Sequence, residues 1–438
     1  MPQDLQRKTI VEGLLKVEKS GFSNLVLSSM LSDSRLTRQD KDFITTVFYG
    51  TLERKITLNA ILQNFITKSL NKLDKEVVAI MQSGLYQILY MDSVPRYAAI
   101  NQAVGLCSSF KKTSAKGLVN AVLRKAEKFD INSFKFKSEA DRLSTMYSVS
   151  REIVDIILRD YPDRREEILK GLFTRPLLTV NINTNKISLS DYEKLLEKNG
   201  ISYREMPARH SLEIQSGGSV TNLPGFAEGY FFVQGVTSTF AVQSAKIKQG
   251  YSVLDLCAAP GGKTFAAAVE LGGTGSILSC DPNESRLKLI RDGAERLGFS
   301  NITTRQNLGQ VFSEKFVGKD AVICDVPCSG IGIIPKKPDL RYKNLYDIDG
   351  LVRLQYDILC TAAKYVKTGG KIVYSTCTVN KDENERQIAK FLSSHDNFAI
   401  VRQTDIPDGA IINDETVTFL PSHPVCDGFF IAVLEKMW

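Results

Sequence analysis

Apolar positions change their spacing twice along the chain. Up to about residue 130 they recur every three or four residues. Val77, Val78, Met81, Leu85, Ile88 and Leu89 form one such series, and Leu118, Val119, Val122 and Ala126 form another. That is the period of one face of an α-helix. Lys116, Arg124, Lys125 and Lys128 fall mostly off the second stripe. Pro95 punctuates the region, and strand-like alternation is absent. The spacing predicts a helical bundle with a basic exterior over residues 1–130. Residues 131–145 are polar and read as a linker, and two short helices are expected at about 150–160 and 163–172.

The first change comes at Arg175. In PLLTVNINTN, Leu178, Val180 and Ile182 alternate with Thr179, Asn181 and Asn183, the period of a strand. Ser190 followed by Glu193 is a capping box for a helix ending at Gly200. Strand-like runs follow at 201–205, 211–214 and 230–234. Residues 131–242 are thus expected to hold the linker helices and a small α+β subdomain, read mainly as a packing support.

The second change comes near Gln243. Strands are expected near 251–256, 275–280, 301–305, 320–324 and 371–375, with helices between them. Regular alternation of this kind predicts an α/β, doubly wound Rossmann-like domain over 243–438. Two further runs, Thr416 to Leu420 and Gly428 to Leu434, are expected antiparallel at one edge.

The centre of that domain is YSVLDLCAAPGGKT, residues 251–264. An apolar run ends at Asp255, small residues and glycines follow, and an alanine-rich stretch begins at Phe265. This reads as strand, tight turn, helix. Open α/β sheets bind nucleotides in such a crevice, beyond the carboxyl ends of the strands. Asp281 directly follows the second strand, about 20 residues on, where such sites place an acid for ribose hydroxyls. Asp281-Pro282-Asn283 also suits a helix cap, and both roles are compatible.

Charge and cysteines sharpen the picture. The net charge is +7. Residues 1–130 hold 19 Lys and Arg against 12 Asp and Glu, and the rest of the chain holds 37 against 37. The excess therefore sits in the helical region, which suggests a polyanion such as nucleic acid. No run of about 18 or more apolar residues is present, so no membrane span is expected. The N-terminus has no apolar signal core, so a cytoplasmic protein is expected. The eight cysteines form no C-x-x-C pair, and only three histidines are present. A metal site therefore has little to draw on, and thiols are expected. Cys280, Cys324 and Cys360 lie in apolar runs and read as packing.

Two cysteines stand apart. DVPCSG (325–330) directly follows one expected strand, and STCT (375–378) another. In a parallel sheet both emerge at the edge that carries the glycine turn. A cysteine in such a polar turn can supply a usable thiolate.

DLCAAPGGKT, DVPCSGIG and YSTCTVNKDENE, in that order, resemble the Sun/NOL family of RNA 5-methylcytosine methyltransferases. SGLYQILYMDSVPRYAAINQAV and KGLVNAVLRKAEKF resemble the RNA-binding helical domain of the antitermination factor NusB. The family's closing segment is also matched, by PSHPVCDGFFIAVLEK. The combination resembles the members of that family that act on 16S ribosomal RNA.

The resemblance implies a seven-stranded S-adenosylmethionine-dependent methyltransferase fold, S-adenosyl-L-methionine as cofactor, 16S ribosomal RNA as partner, and a monomer without metal. It implies Cys377 as nucleophile, Cys328 as the residue that helps release product, and Asp325 at the N3/N4 edge of cytosine. Lys263 is expected to add positive charge beside cofactor and base. Implied cofactor contacts are Cys257, Ala258, Ala259, Pro260, Gly261, Gly262, Lys263, Asp281 and Asp325. Asn307 stands where the family usually has an acid near the adenine, and Gly235 where an acid is common. Lys336, Lys337, Arg341 and Lys343 are expected to grip RNA phosphates. Two rivals are the same chemistry on transfer RNA and a non-catalytic RNA-binding assembly factor. DNA methylation is disfavoured, because DNA enzymes attack with the Pro-Cys cysteine and have no call for Cys377.

Overall fold

The computed structural model describes residues 5–20, 23–215 and 218–438. The chain forms two compact units, one of residues 1–162 with 336–344, the other of 163–335 with 345–438.

The first unit is helical, as the spacing predicts. Lys75–Tyr90 is its central helix and packs against Leu5–Ser20, Arg38–Glu53, Lys55–Asn64, Arg96–Ser109 and Lys116–Ala126. A helix surrounded in this way must be apolar or small on most sides. Ala79, Ile80, Met81, Ser83, Gly84 and Leu85 are all buried. Gly84 lets two neighbours come close, since a Cβ there would lie 3.2 Å from both Ala103 and Leu123. Thr37 and Asp40 cap the helix Arg38–Glu53 reciprocally.

The nine residues 336–344 belong to this unit, not to the one that precedes and follows them in sequence. Arg341 is fully buried there. Its guanidinium donates to the Tyr147 carbonyl at 3.1 Å, and its own carbonyl accepts the Ser150 N–H at 2.8 Å. The Tyr342 hydroxyl accepts the Lys55 N–H at 3.1 Å and donates to the Leu52 carbonyl, so it serves backbone groups at the break between two helices. Burial lowers Arg341 to about 10 and raises Tyr342 to about 12. The expectation that Arg341 grips phosphate is therefore overturned, because a side chain sealed among helices cannot reach RNA. Lys337 stays exposed, and Lys336 and Lys343 are half-buried.

In the second unit, β1 (Thr179–Ile182), β2 (Tyr203–Glu205), β3 (Ser211–Ile214) and β4 (Phe231–Val233) form an antiparallel sheet in the order β2-β3-β1-β4. Val180, Ile182, Leu212, Ile214 and Phe231 bury against Tyr192 and Leu196 of the helix Leu189–Lys198. Ser188 caps that helix by accepting the Asp191 N–H at 3.1 Å, two residues before the Ser190 expected from sequence.

The second sheet has nine strands. They are β5 (Ser252–Asp255), β6 (Ser276–Asp281), β7 (Ile302–Gln306), β8 (Lys319–Asp325), β9 (Val366–Thr376), β10 (Phe398–Ile400), β11 (Ile411–Asn413), β12 (Thr416–Phe419) and β13 (Phe429–Lys436). Their order is β11-β12-β13-β9-β8-β5-β6-β7, with β10 on β13. The run from β9 to β7 is parallel, and β13 joins β9 antiparallel. Seven strands are those expected, and β10 and β11 are short additions. Alternate residues feed the two faces. Val253, Ile323, Val373 and Ile431 enter one core, and Leu254, Val322, Ile372 and Phe430 the other. Each such side chain, fully buried, contributes roughly 1.5–3 kcal/mol.

Candidate active site

Strand register assembles the site. In the parallel pair β8–β9, Asp325 lies opposite Ser375, and these are the last residues but one or the last of their strands. Cys328, three residues past Asp325, and Cys377, two past Ser375, therefore leave the sheet side by side. Their sulfurs are 3.0 Å apart, and the Cys377 N–H points to the Cys328 sulfur at 3.3 Å. Hydrogen bonds from Val326 N–H to the Ser375 carbonyl at 3.2 Å and from Gly332 N–H to the Cys377 carbonyl at 3.0 Å join the two loops.

Asp325 is held at both oxygens. Lys263 Nζ lies 2.7 Å from one, and the Ser375 hydroxyl donates to the other at 2.8 Å. Lys263 is nearly buried, with its ammonium 5.3 Å above the Phe429 ring. The four expected catalytic residues thus form two contacting pairs, Lys263–Asp325 and Cys328–Cys377, on three neighbouring loops.

The Cys328 thiol is pushed well above its ordinary value. The hydrogen bond with Cys377 is the first cause, burial the second, and the charges of Cys377, Glu383 and Asp325 follow. Burial also raises Cys257, Cys280 and Cys324, with Cys280 pushed up to about 12. Burial thus holds Cys280 and Cys324 as thiols, in keeping with the packing role expected of them, and does the same to Cys257, the one expected beside the cofactor.

Beside this pair lies the glycine turn. Ala258 N–H bonds the Cys280 carbonyl at 2.9 Å, which pins the turn over β6. The Ala259–Pro260 bond is cis, and Gly261 takes φ +114°. A Cβ on Gly261 would lie 2.7 Å from the Phe265 ring, so only glycine fits both the angle and the space. The first intrahelical bond runs from Phe265 N–H to the Gly261 carbonyl at 2.8 Å, so the N–H groups of residues 262–264 precede it.

Beneath the turn, Asp255 is fully buried and accepts the Thr264 hydroxyl at 2.8 Å. Asp281 is almost buried, accepts the Asn283 N–H at 3.0 Å and pairs with Arg286 at 3.2 Å. Arg286 also reaches the Ala259 carbonyl at 2.7 Å, tying the acid to the turn. The cap of the helix Glu284–Leu297 is Asn283, not Asp281.

Several features fit the S-adenosylmethionine that the resemblance implies. The N–H groups at the start of the helix Gly262–Leu271 suit an anionic group. Gln234 is buried, and its Nε2 has no hydrogen-bond partner among the described residues. The Nε2 lies 3.4 Å from where a Cβ on Gly262 would stand, so it offers a second donor beside the turn. The methionine end of the cofactor carries a carboxylate that would satisfy such donors. Asp281 would take ribose hydroxyls. Asn307 gives its Nδ2 to the Leu308 carbonyl at 2.8 Å and the Val311 carbonyl at 3.2 Å, so Oδ1 is the end of the amide that could accept from an adenine amino group. Gly235 is the N-cap of the helix Val236–Ser244, without a side-chain cap.

The sequence alone did not single out Glu383, Gln355 or Ser375, although NKDENE contains the first of them. Among the described residues, no cluster of His, Cys, Asp or Glu is arranged to hold a metal. No helix among them is long and apolar enough to cross a membrane.

Three family matches cover most of the chain. Residues 5–128 match the NusB family, 153–221 a ferredoxin-like domain of RsmF/B-like methyltransferases, and 242–435 the family described as 16S rRNA methyltransferase RsmB/F. The chain is 30% identical to a probable ribosomal RNA small subunit methyltransferase B of Bacillus subtilis, over 98% of each chain. It is 31% identical to a probable protein of the same name from Synechocystis, over 95% of this chain and 96% of the relative. A solved methyltransferase homolog from Pyrococcus horikoshii is 26% identical with a TM-score of 0.61, covering 69% of this chain and 100% of its own.

Proposed function

Because the chain belongs to the RsmB/F family of 16S rRNA methyltransferases, S-adenosylmethionine-dependent enzymes, we propose that it methylates C5 of a cytosine in 16S ribosomal RNA through a covalent cysteine adduct. The observation that carries this reading is the pair of sulfurs 3.0 Å apart beside the Lys263–Asp325 ion pair. A single nucleophile needs one thiol. A reaction that adds a sulfur to a ring and later removes a ring proton has work for two.

C5 of cytosine is a weak nucleophile. The Cys377 thiolate adds to C6, forming an S–C6 bond and making C5 an enamine carbon. Residues 257–263, Asp281, Asn307 and Asp325 would hold S-adenosylmethionine, which would supply its sulfonium methyl group to that carbon and leave as S-adenosylhomocysteine. Cys328 then assists removal of the C5 proton, the S–C6 bond breaks, and Cys377 is regenerated. Asp325, fixed by Lys263 and Ser375, hydrogen-bonds the N3/N4 edge and favours the protonated adduct. The target base leaves its stack to enter the crevice. The helical region 1–130, which holds the excess positive charge, binds RNA, and the protein works as a cytoplasmic monomer.

RNA bearing 5-fluorocytosine tests this, because fluorine at C5 blocks the release step. Wild type forms a denaturation-resistant adduct and Cys377→Ala does not. Loss of the adduct in Cys328→Ala with retention in Cys377→Ala would reverse the two roles.

A further inference from the structure

Behind the two sulfurs lies a buried polar cluster to which the chemistry above gives no task. Glu383 is fully buried and receives neutral donors. Its Oε2 accepts the Ser329 N–H at 2.7 Å and Gln355 Nε2 at 2.9 Å, and its Oε1 accepts Asn380 Nδ2 at 3.0 Å. Gln355, fully buried on the helix Ile348–Tyr365, also donates to the Pro327 carbonyl at 2.9 Å. The Tyr374 hydroxyl donates to the backbone carbonyl of Glu383 at 2.7 Å and fixes the clasp from the sheet side.

Pro327 and Ser329 are the residues on either side of Cys328. The carboxylate holds one backbone group that flanks this reactive sulfur, the Ser329 N–H, and Gln355, which donates to the same carboxylate, holds the other, the Pro327 carbonyl. Glu383 is itself carried by the loop that follows the other sulfur, Cys377. Burying a carboxylate is costly unless its lone pairs are filled, and an amide or an apolar side chain would cost less. The three donors fill those lone pairs at the one place where a fixed loop sets the distance between the thiols.

We propose that Glu383 is a positioning residue. With Gln355 it clasps the Cys328 loop against the Cys377 loop, and release of the methylated base depends on that clasp. The inference rests on the covalent-adduct reading above. The negative charge of Glu383 also contributes, after the Cys377 hydrogen bond and burial, to holding the proton on Cys328.

Two measurements separate positioning from a general loss of structure. The first uses RNA with natural cytosine and S-adenosylmethionine. Displacing Cys328 stalls release, so Glu383→Ala accumulates a protein–RNA adduct as Cys328→Ala does. Multiple turnover falls about 10²-fold, the scale of an ångström-sized misplacement, while adduct formation in a single turnover changes only a few-fold. The double variant stalls no further than Cys328→Ala, and Glu383→Gln, which keeps the shape, recovers part of the turnover.

The second needs no RNA. Diamide oxidises two thiols to a disulfide and takes up their two protons and two electrons. Cys328–Cys377 coupling, followed by peptide mass mapping, is expected to slow about tenfold or more in Glu383→Ala. Alkylation of Cys377 by iodoacetamide stays near the wild-type rate. Wild-type turnover and coupling rates in Glu383→Ala, or multiplying effects in the double variant, would overturn the proposal. If wild type forms no adduct on 5-fluorocytosine RNA while coupling still depends on Glu383, the clasp stands and the covalent chemistry falls.

Discussion

Replacing Asp255 by Asn is expected to stabilise the second unit, by an amount that grows with pH. Asp255 is fully buried at the end of β5. One oxygen accepts from Thr264, and the other, Oδ1, has no partner among the described residues. Burial raises its carboxyl from 3.8 to about 7, and the Asp325 charge adds to the rise. The Thr264 hydroxyl, Lys263 and the Cys257 N–H pull the other way. With the folded value above the unfolded one, the native state binds the proton more tightly. The contribution is intact below about pH 4 and is lost as pH rises to about 7. A shift of about 3 units corresponds to roughly 4 kcal/mol. Asn keeps the shape and the Thr264 hydrogen bond and does not titrate. Thermal unfolding of both proteins from pH 4 to 9 should therefore show a Tm gap that widens up to about pH 7 and then levels off. At 2–4 °C per kcal/mol the full gap is on the order of 10 °C. A gap independent of pH, or one that narrows as pH rises, would refute the buried, proton-holding Asp255.

Other perturbations separate structural from binding roles. Arg341→Met leaves the Tyr147 carbonyl without its donor and should destabilise the first unit by about 1–3 kcal/mol, with the salt dependence of RNA affinity unchanged. A shallower salt slope would restore a phosphate contact to Arg341. Gly261→Ala forces a side chain into φ +114° against Phe265, which should cost about 1–3 kcal/mol in melting experiments and weaken S-adenosylhomocysteine binding in calorimetry. Gln234→Leu removes an unpartnered buried donor and the acceptor of the Thr239 hydroxyl, which keeps the Gly235 carbonyl at 3.4 Å, so the ligand-free protein should melt little lower while S-adenosylhomocysteine affinity falls by about 1 kcal/mol. Equal affinity in that variant would mean that Gln234 does not face the ligand.

The parts of this molecule that sequence reveals are those fixed over a few residues. Asp255, Asp281 and Asp325 each end an apolar run, and each ends a parallel strand, so their common edge follows from the fold class. The pairing of β8 with β9 is different. It rests on a strand order that no local pattern encodes, and only that order brings Cys328 to Cys377. Arg341 was misread for the same reason. In sequence it sits among lysines in a polar loop, and its burial comes from helices nearly two hundred residues earlier, at Tyr147 and Ser150. Gln355 falls on an amphipathic helix where an amide ordinarily faces water, and its partner Glu383 is 28 residues away. Ser188 and Ser190 are both competent caps, and the choice between them depends on where β1 releases the chain.

The surroundings of the two cysteines also explain why two identical side chains need not share one role. Thiolates 3.0 Å apart repel, so the pair keeps a proton over a wide pH range. Which sulfur holds it is decided by the neighbours. Cys328 hydrogen-bonds Cys377 through sulfur, is buried, and sits near the Glu383 and Asp325 charges, and all four raise its thiol. The proton that the pair keeps is therefore held at Cys328. The division of labour between the two thiols is thus written in the side chains around them.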